Sequence, residues 1–221
     1  RAREQLLLDV SHELRTPLTR SKVALEFLPE SKARRSIHED VMEMEAMVTS
    51  ILETARMANG TLELERRRID LAQVIQETLE HYRDQPPGVN VAPGIFPVRV
   101  IADPKRVRAV LDNVLTNAVK YSHPASGPIQ VTLEKRTTDA LVSVTDNGIG
   151  IPEGELARIF DPFYRIEKSR SKATGGYGLG LSLCKSIMEA HGGRIEISSR
   201  LDWGTTVRLV FPLPAEKPSG K

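Results

Sequence analysis

The chain has 221 residues, long for one minimal module and short for two average domains, so its length admits one large domain or a small one joined to a standard one. With 40% hydrophobic and 27% charged residues it is neither disordered nor membrane-embedded in bulk, and 31 basic against 29 acidic residues leave a net charge of +2, too weak to argue for a nucleic-acid partner. One cysteine, Cys184, excludes an internal disulfide framework and a cysteine-based zinc site. No apolar run approaches the roughly 18–20 residues of a membrane span, and no signal-peptide pattern is present. The chain starts at Arg1 already in helical periodicity, and so reads as an excised portion of something longer.

From Arg1 to about Leu28 the apolar residues Leu7, Val10, Leu14, Leu18, Leu25 and Leu28 follow a helical period. Pro29-Glu30-Ser31 breaks it, and Ile37, Val41, Met44, Val48, Ile51 and Ala55 then alternate steps of four and three, the a/d seam of helix-on-helix packing. Two helices and a short loop make an antiparallel hairpin. A lone hairpin buries too little surface to stand alone, so two copies are expected to associate into a dimeric four-helix bundle. Asn59-Gly60 interrupts the pattern and marks a domain boundary, with 1–60 as the hairpin, 61–215 as a second domain and 216–221 as a flexible tail.

In the second domain Asp70 can cap a helix carrying Leu71, Val74, Ile75, Leu79 and Tyr82. Val98–Ala102 reads as a short strand, and Asp103-Pro104 as an N-cap with proline at the first helical position. That helix buries Val107, Val110, Leu111, Val114, Leu115 and Ala118. Ile129–Lys135 and Ala140–Thr145 alternate as neighbouring strands, Gly178–His191 is a helix, and Arg194–Ser198 and Thr205–Phe211 are further strands. Helices on one face of a sheet make an α+β two-layer sandwich.

Four segments carry chemistry. In Ser11-His12-Glu13-Leu14-Arg15-Thr16-Pro17, an inward Leu14 leaves His12 on the solvent side of the helix, where an imidazole beside a carboxylate can act as a nucleophile. Thr16 lies one turn on, and Pro17 should bend the helix at the histidine. Asn113 and Asn117 are four apart and share a helix face opposite Val114 and Ala118; their amide oxygens suit Mg²⁺ when phosphates supply the other ligands, though two exposed surface asparagines would look the same. Asp146-Asn147-Gly148-Ile149-Gly150 ends a strand; the aspartate can accept from a purine amino group while the glycines let backbone approach a planar ring, and a plain β-turn is the alternative. Gly175-Gly176-Tyr177-Gly178-Leu179-Gly180-Leu181 opens a helix, offering free N–H groups and a positive dipole end to phosphate. Phe160-Asp161-Pro162-Phe163 and the polar stretch after it, to Thr174, read as a lid.

Taken together and in this order, these segments resemble the catalytic core of a two-component sensor histidine kinase across almost the whole chain. Residues 11–18 look like its phosphoacceptor box, Asn113–Tyr121 like the N box, Asp146–Gly150 like the first glycine box, Phe160–Phe163 like the phenylalanine box and Gly176–Leu181 like the second glycine box. The resemblance implies a dimerising histidine-phosphotransfer hairpin followed by an ATP-binding domain of the Bergerat fold, as in the Hsp90 and MutL class of ATPases. It implies that His12 attacks the γ-phosphate of ATP with Glu13 as its base or orienting carboxylate. Asn117 binds Mg²⁺ with Asn113 in support, and Asp146 reads the adenine amino group. Tyr121 lies against the ring, Lys120 and Arg165 meet phosphate charge, and Gly148, Gly150, Gly176, Gly178, Leu179 and Gly180 line the nucleotide.

The same resemblance implies a homodimer that passes its phosphoryl group to an aspartate of a response-regulator receiver domain. Glu13 and Thr16 match a Glu-x-x-Thr pattern tied to removal of phosphate from that regulator. The chain is expected to be the cytoplasmic portion of an inner-membrane sensor, reaching the membrane only through segments outside it. Two alternatives stay open: a phosphatase-dominant variant, and a dimeric scaffold that binds nucleotide without transfer. Ala109 stands where many members have glutamine. Cys184 reads as a small core residue, and His38, His81, His123 and His191 as structural or solvated.

Overall fold

Where the apolar seams change period, the fold changes kind. The structure, a computed structural model, describes residues 2–58, 64–92, 96–166 and 178–214. The Asn59-Gly60 turn, the polar stretch 167–174 and the tail 216–221 lie outside those residues, as does the side chain of His12. The chain divides into two compact units, Arg1–Leu62 and Glu63–Lys221.

The first unit is a hairpin of α1 (Ala2–Glu26) and α2 (Lys32–Ala58). Pro17 sits inside α1, which continues through it to Glu26. The turn is held from α2: the Ser31 hydroxyl accepts from Arg34 N at 3.0 Å, and the Arg34 guanidinium donates to the Leu25 carbonyl at the end of α1. Leu18, Leu25 and Val41 pack together with Val48 against them, and Lys22 pairs with Glu45 at 2.8 Å. The expected seams divide here. Val41 and Val48 face α1, whereas Ile37 and Met44 stay exposed, and so do Leu14 (45%) and Leu28 on α1. A single partner helix covers only about half of an a/d seam, which leaves the other half as an apolar shoulder.

The second unit is a two-layer sandwich. Its elements are β1 (Arg67–Asp70), α3 (Leu71–Leu79), β2 (Val89–Val91), β3 (Arg99–Ala102), α4 (Pro104–Tyr121), β4 (Ile129–Lys135), β5 (Asp139–Asp146), α5 (Gly180–Ala190), β6 (Arg194–Arg200) and β7 (Gly204–Pro212). Five strands form one sheet in the order β2-β4-β5-β7-β6, with β2-β4 parallel and the rest antiparallel, while β1 and β3 pair as a separate antiparallel ribbon. The short strands β1 and β2 are absent from the elements expected from sequence; each is set by pairing with a strand far along the chain, Arg67 with Ala102 and Val89 with Ile129.

Alternation on the long strands sets the buried face. Ala140, Val142 and Val144 of β5 lie opposite Phe211, Leu209 and Val207 of β7, and all six are buried beneath α4 and α5. α4 supplies Val107, Val110, Leu111, Val114, Leu115 and Ala118 to this core, and α5 supplies Ile187 and Met188. Cys184 packs there too, its sulfur 3.8 Å from the Val110 carbonyl, and burial pushes its thiol up to about 12.

The start of α4 is fixed by one buried residue. Asp103 Oδ1 accepts from Lys105 N at 2.9 Å, its Oδ2 accepts from Glu65 N at 3.0 Å, and its own N–H donates to His191 Nε2 at 2.9 Å. His191 Nδ1 lies 2.8 Å from the Ile187 carbonyl and donates to it, so this imidazole serves only as the neutral tautomer. Burial holds its pKa below the ordinary 6.5, against the Ile187 bond and the Asp103 charge, with the Arg66 and Arg106 charges reinforcing the shift. The unfolded chain therefore takes up this proton first as pH falls, and the stability that the neutral ring contributes is full above 6.5 and lost below it. Urea unfolding at about pH 7.5 and about pH 5.5 should show a larger loss of stability for the wild type than for His191→Asn; parallel losses would count against this tie.

Candidate functional site

Two loops and two helix ends meet at one edge of the sandwich. Asp146 closes β5 and is only 8% exposed. Its Oδ1 accepts from Gly148 N at 2.8 Å and from Thr205 N at 3.2 Å, while its Oδ2 takes no hydrogen bond from the described residues. Burial raises its pKa, and the two backbone bonds oppose that rise. The result is a carboxylate fixed at one oxygen, with a second oxygen left to accept.

The loop after Asp146 is pressed onto the end of α4. Ile149 N donates to the Tyr121 carbonyl at 3.1 Å, and a Cβ on Gly148 would collide with that same oxygen. Only glycine allows this approach. Gly150 adopts φ +67° and lies against the Arg200 carbonyl, where a side chain would collide as well. Tyr121 is thereby set beside Gly148 and Asp146, with Lys120 Nζ 4.8 Å from its ring centroid.

About two turns back on α4, Asn113 is half-buried, and its Nδ2 donates to the Ala109 carbonyl at 2.9 Å. That bond uses only the backbone of residue 109, so the alanine there costs the arrangement nothing. It also turns Asn113 Oδ1 toward the first residue of α5: a Cβ on Gly180 would sit 2.6 Å from this oxygen. Asn113 is thus no free surface amide but faces the N-terminus of α5, and Asn117 lies half-buried one turn further along. Leu179 is buried, and its carbonyl takes Leu183 N at 3.0 Å and the Ser182 hydroxyl at 2.8 Å. Gly178, at φ +70°, packs on the Phe163–Tyr164 backbone and accepts from Phe163 N at 3.0 Å. Arg165 follows, half-buried.

The structure therefore gathers Asn113, Tyr121, Asp146, Gly148, Gly150, Gly178 and Gly180 into one region. Gly176 lies outside the described residues. Glu13 and Thr16 stand exposed on α1, in the other unit. A cavity of about 540 Å³ opens on the neighbouring face of α4, among Tyr82, Arg108, Asp112 and Thr116, and of the residues to which the resemblance gives a role it touches only Lys120. Among the described residues no three His, Cys, Asp or Glu side chains come together as a metal cage, so a divalent ion at this site would be held by amide oxygens together with phosphate.

Sequence reasoning missed Ser199, Gly204 and Thr205. Gly204, at φ +111°, lets the start of β7 lie directly on the Asp146 carbonyl, and Thr205 supplies one of the two N–H groups that hold the carboxylate. The signal was available. Counting back by twos from buried Val207 places Thr205 on the core-facing side of its strand, where a hydroxyl is out of place unless it serves a polar site. Just before it, Trp203, the chain's one tryptophan, is 68% exposed with the Arg200 guanidinium 4.7 Å from its ring.

Residues 2–60 match the His Kinase A (phospho-acceptor) domain, and residues 102–215 match the histidine kinase-, DNA gyrase B- and HSP90-like ATPase. The chain belongs to the two-component sensor histidine kinases, as their catalytic core. The adaptive-response sensory kinase SasA of Synechocystis sp. is 33% identical over 96% of this core and 59% of its own length, and the sensor protein kinase WalK of Staphylococcus aureus is 33% identical over 96% and 54%. The chain spans somewhat more than half the length of these curated relatives. Among solved structures, full-length ShkA in complex with AMPPNP superposes with a TM-score of 0.76 at 26% identity, covering 97% of this chain and 47% of that one. A mycobacterial sensor histidine kinase, MprB, superposes at 0.58 with 29% identity, covering 66% of this chain and 97% of that one.

The kinase core's Gly180 gives a test of the assembled site. Alanine at a helical glycine ordinarily stabilises by up to about 1 kcal/mol. Here its methyl meets Asn113 Oδ1, so Gly180→Ala should weaken ATP binding about tenfold while the melting temperature holds or rises. Unchanged affinity in a titration calorimeter would refute the contact's importance.

Proposed function

We propose that this core binds Mg-ATP in the second unit, phosphorylates His12 in the first and passes the phosphoryl group to an aspartate of a response-regulator receiver domain. The observation that carries the reading is the buried Asp146, pinned at Oδ1 and open at Oδ2, with Tyr121 and Gly148 beside it: an acceptor prepared for the amino group of adenine next to a flat, glycine-lined wall. In this reading Asn117, with Asn113 in support, holds the divalent ion by amide oxygens, and that ion neutralises phosphate charge. Lys120 and Arg165 meet the phosphates and Gly176 lines them, with Gly178, Leu179 and Gly180 at the N-terminus of α5. The His12 imidazole forms a bond to the γ-phosphorus as the bridging bond to ADP breaks, and Glu13 takes or orients the imidazole proton. Positioning and charge neutralisation do most of such a transfer.

The division into 1–60 and 61–215 follows those two tasks. The apolar shoulder of the hairpin, with Leu14, Ile37 and Met44 exposed, supports association of two copies into a four-helix bundle. No described helix is long and apolar enough to cross a membrane. In the same reading the core works as the cytoplasmic portion of an inner-membrane sensor, and its relatives carry the names sensory kinase and sensor protein kinase.

Incubated with Mg²⁺ and γ-labelled ATP, the protein should gain acid-labile label that His12→Gln lacks; equal labelling of the variant would overturn the assignment of His12. Thr16, one helical turn from His12, supports a second activity, removal of phosphate from the regulator. Thr16→Ala should slow dephosphorylation of a phosphorylated receiver domain at least about tenfold with autophosphorylation retained, and an unchanged rate of phosphate release would remove that activity from Thr16.

A further inference from the structure

Asp146, Thr205 and Ser199 form one row across three strands. Asp146 pairs with Thr205 between β5 and β7, and Thr205 pairs with Ser199 between β7 and β6. Paired residues of antiparallel strands project to the same side, and this row follows that of buried Val144 and Val207 and half-buried Ile197. The core-facing side of the sheet thus ends in a carboxylate and two hydroxyls.

The Ser199 hydroxyl has three partners within bonding distance: Ile151 N at 2.8 Å, the Gly204 carbonyl at 2.9 Å and Thr205 Oγ1 at 2.8 Å. A hydroxyl owns one proton and two lone pairs. Ile151 N can only donate and the Gly204 carbonyl can only accept, which spends one lone pair and the proton. The remaining lone pair must take the Thr205 proton. Thr205 Oγ1 is then left with lone pairs alone on its other side, beside the Asp146 carboxylate.

We propose that Ser199 is a positioning residue that sets purine specificity: by fixing the Thr205 proton it makes the polar row an array of acceptors, which fits the 6-amino donor of adenine and repels the O6 acceptor of guanine. The proposal rests on the reading of Asp146 as the adenine acceptor. Through Ile151 and Gly204 the same hydroxyl also ties the loop after Asp146 to the β6–β7 turn, so the polarity and the position of the acceptors have one source.

The test is the ratio of ATP to GTP affinity, measured by titration calorimetry on the full chain with Ser199→Ala, Ser199→Thr, Thr205→Val and Asp146→Asn beside the wild type. Ser199→Ala frees the Thr205 proton to point at guanine O6, and the preference for ATP should fall about tenfold. Ser199→Thr keeps a hydroxyl and should retain the preference, and Thr205→Val, which removes the same polarity at nearly constant volume, should lower it even if Ser199→Ala does not fold. A preference within about twofold of wild type in Ser199→Ala, or in Thr205→Val, would overturn the proposal, as would an equal loss in Ser199→Thr. Should Asp146→Asn leave ATP affinity intact, the adenine reading itself fails; should it abolish binding while the serine and threonine variants keep the ratio, only the role of Ser199 fails.

Discussion

The second unit depends on where α4 begins and ends. Its first turn is anchored by Asp103, which caps the helix and hands its own N–H to the neutral ring of His191 at the end of α5. Its last residue, Tyr121, offers a carbonyl that receives the loop after Asp146. Between those fixed points Val107 through Ala118 fill the core, so the amides on the remaining face cannot drift. A helix held at both ends by polar ties and along its length by packing is a rigid ruler, and Asn113, Asn117 and Tyr121 are marks upon it. Loose placement would defeat phosphoryl transfer, in which small displacements of the reacting groups cost large factors in rate.

Much of this was legible before any coordinates. Asp70 and Asp103 announced two helix starts, and Pro104 sharpened the second, because capping chemistry is local and readable from a few residues. The long strands β4, β5, β6 and β7 showed their alternation. The five motifs in their order carried the family. Less legible were the short strands β1 and β2, whose pairing is supplied by neighbours distant in sequence. The hairpin seams were read as packing within a four-helix bundle; in the single chain Val41 is buried while Ile37 and Met44 are exposed, since heptad spacing marks an apolar stripe without saying how many helices share it.

The site was legible in its motifs and illegible in its joints. Asp146 stood out, but what holds it comes from β7, close to 60 positions later, and from a glycine at positive φ that looks like any turn residue. For Asn113 the sequence left an ion-binding amide and a plain surface amide equally open, and the bare Cα of Gly180 against its oxygen removes the second. Such contacts are made by backbone atoms and by missing side chains, which leave no residue-type signature. Hydroxyls at core-facing positions are the exception, and Thr205 and Ser199 show that strand parity can expose a polar site where composition cannot.

The placement of Trp203 gives the molecule a built-in optical reporter. It is the sole indole in the chain, it stands in water, and one residue separates it from the backbone that braces Asp146. Emission from this protein therefore arises almost wholly from a point beside the edge of the sheet that carries Asp146, stacked on a guanidinium whose strand also carries Ser199. Any rearrangement of that turn upon occupancy is written into the intrinsic spectrum, free of background from the hairpin, with no dye and no engineered label.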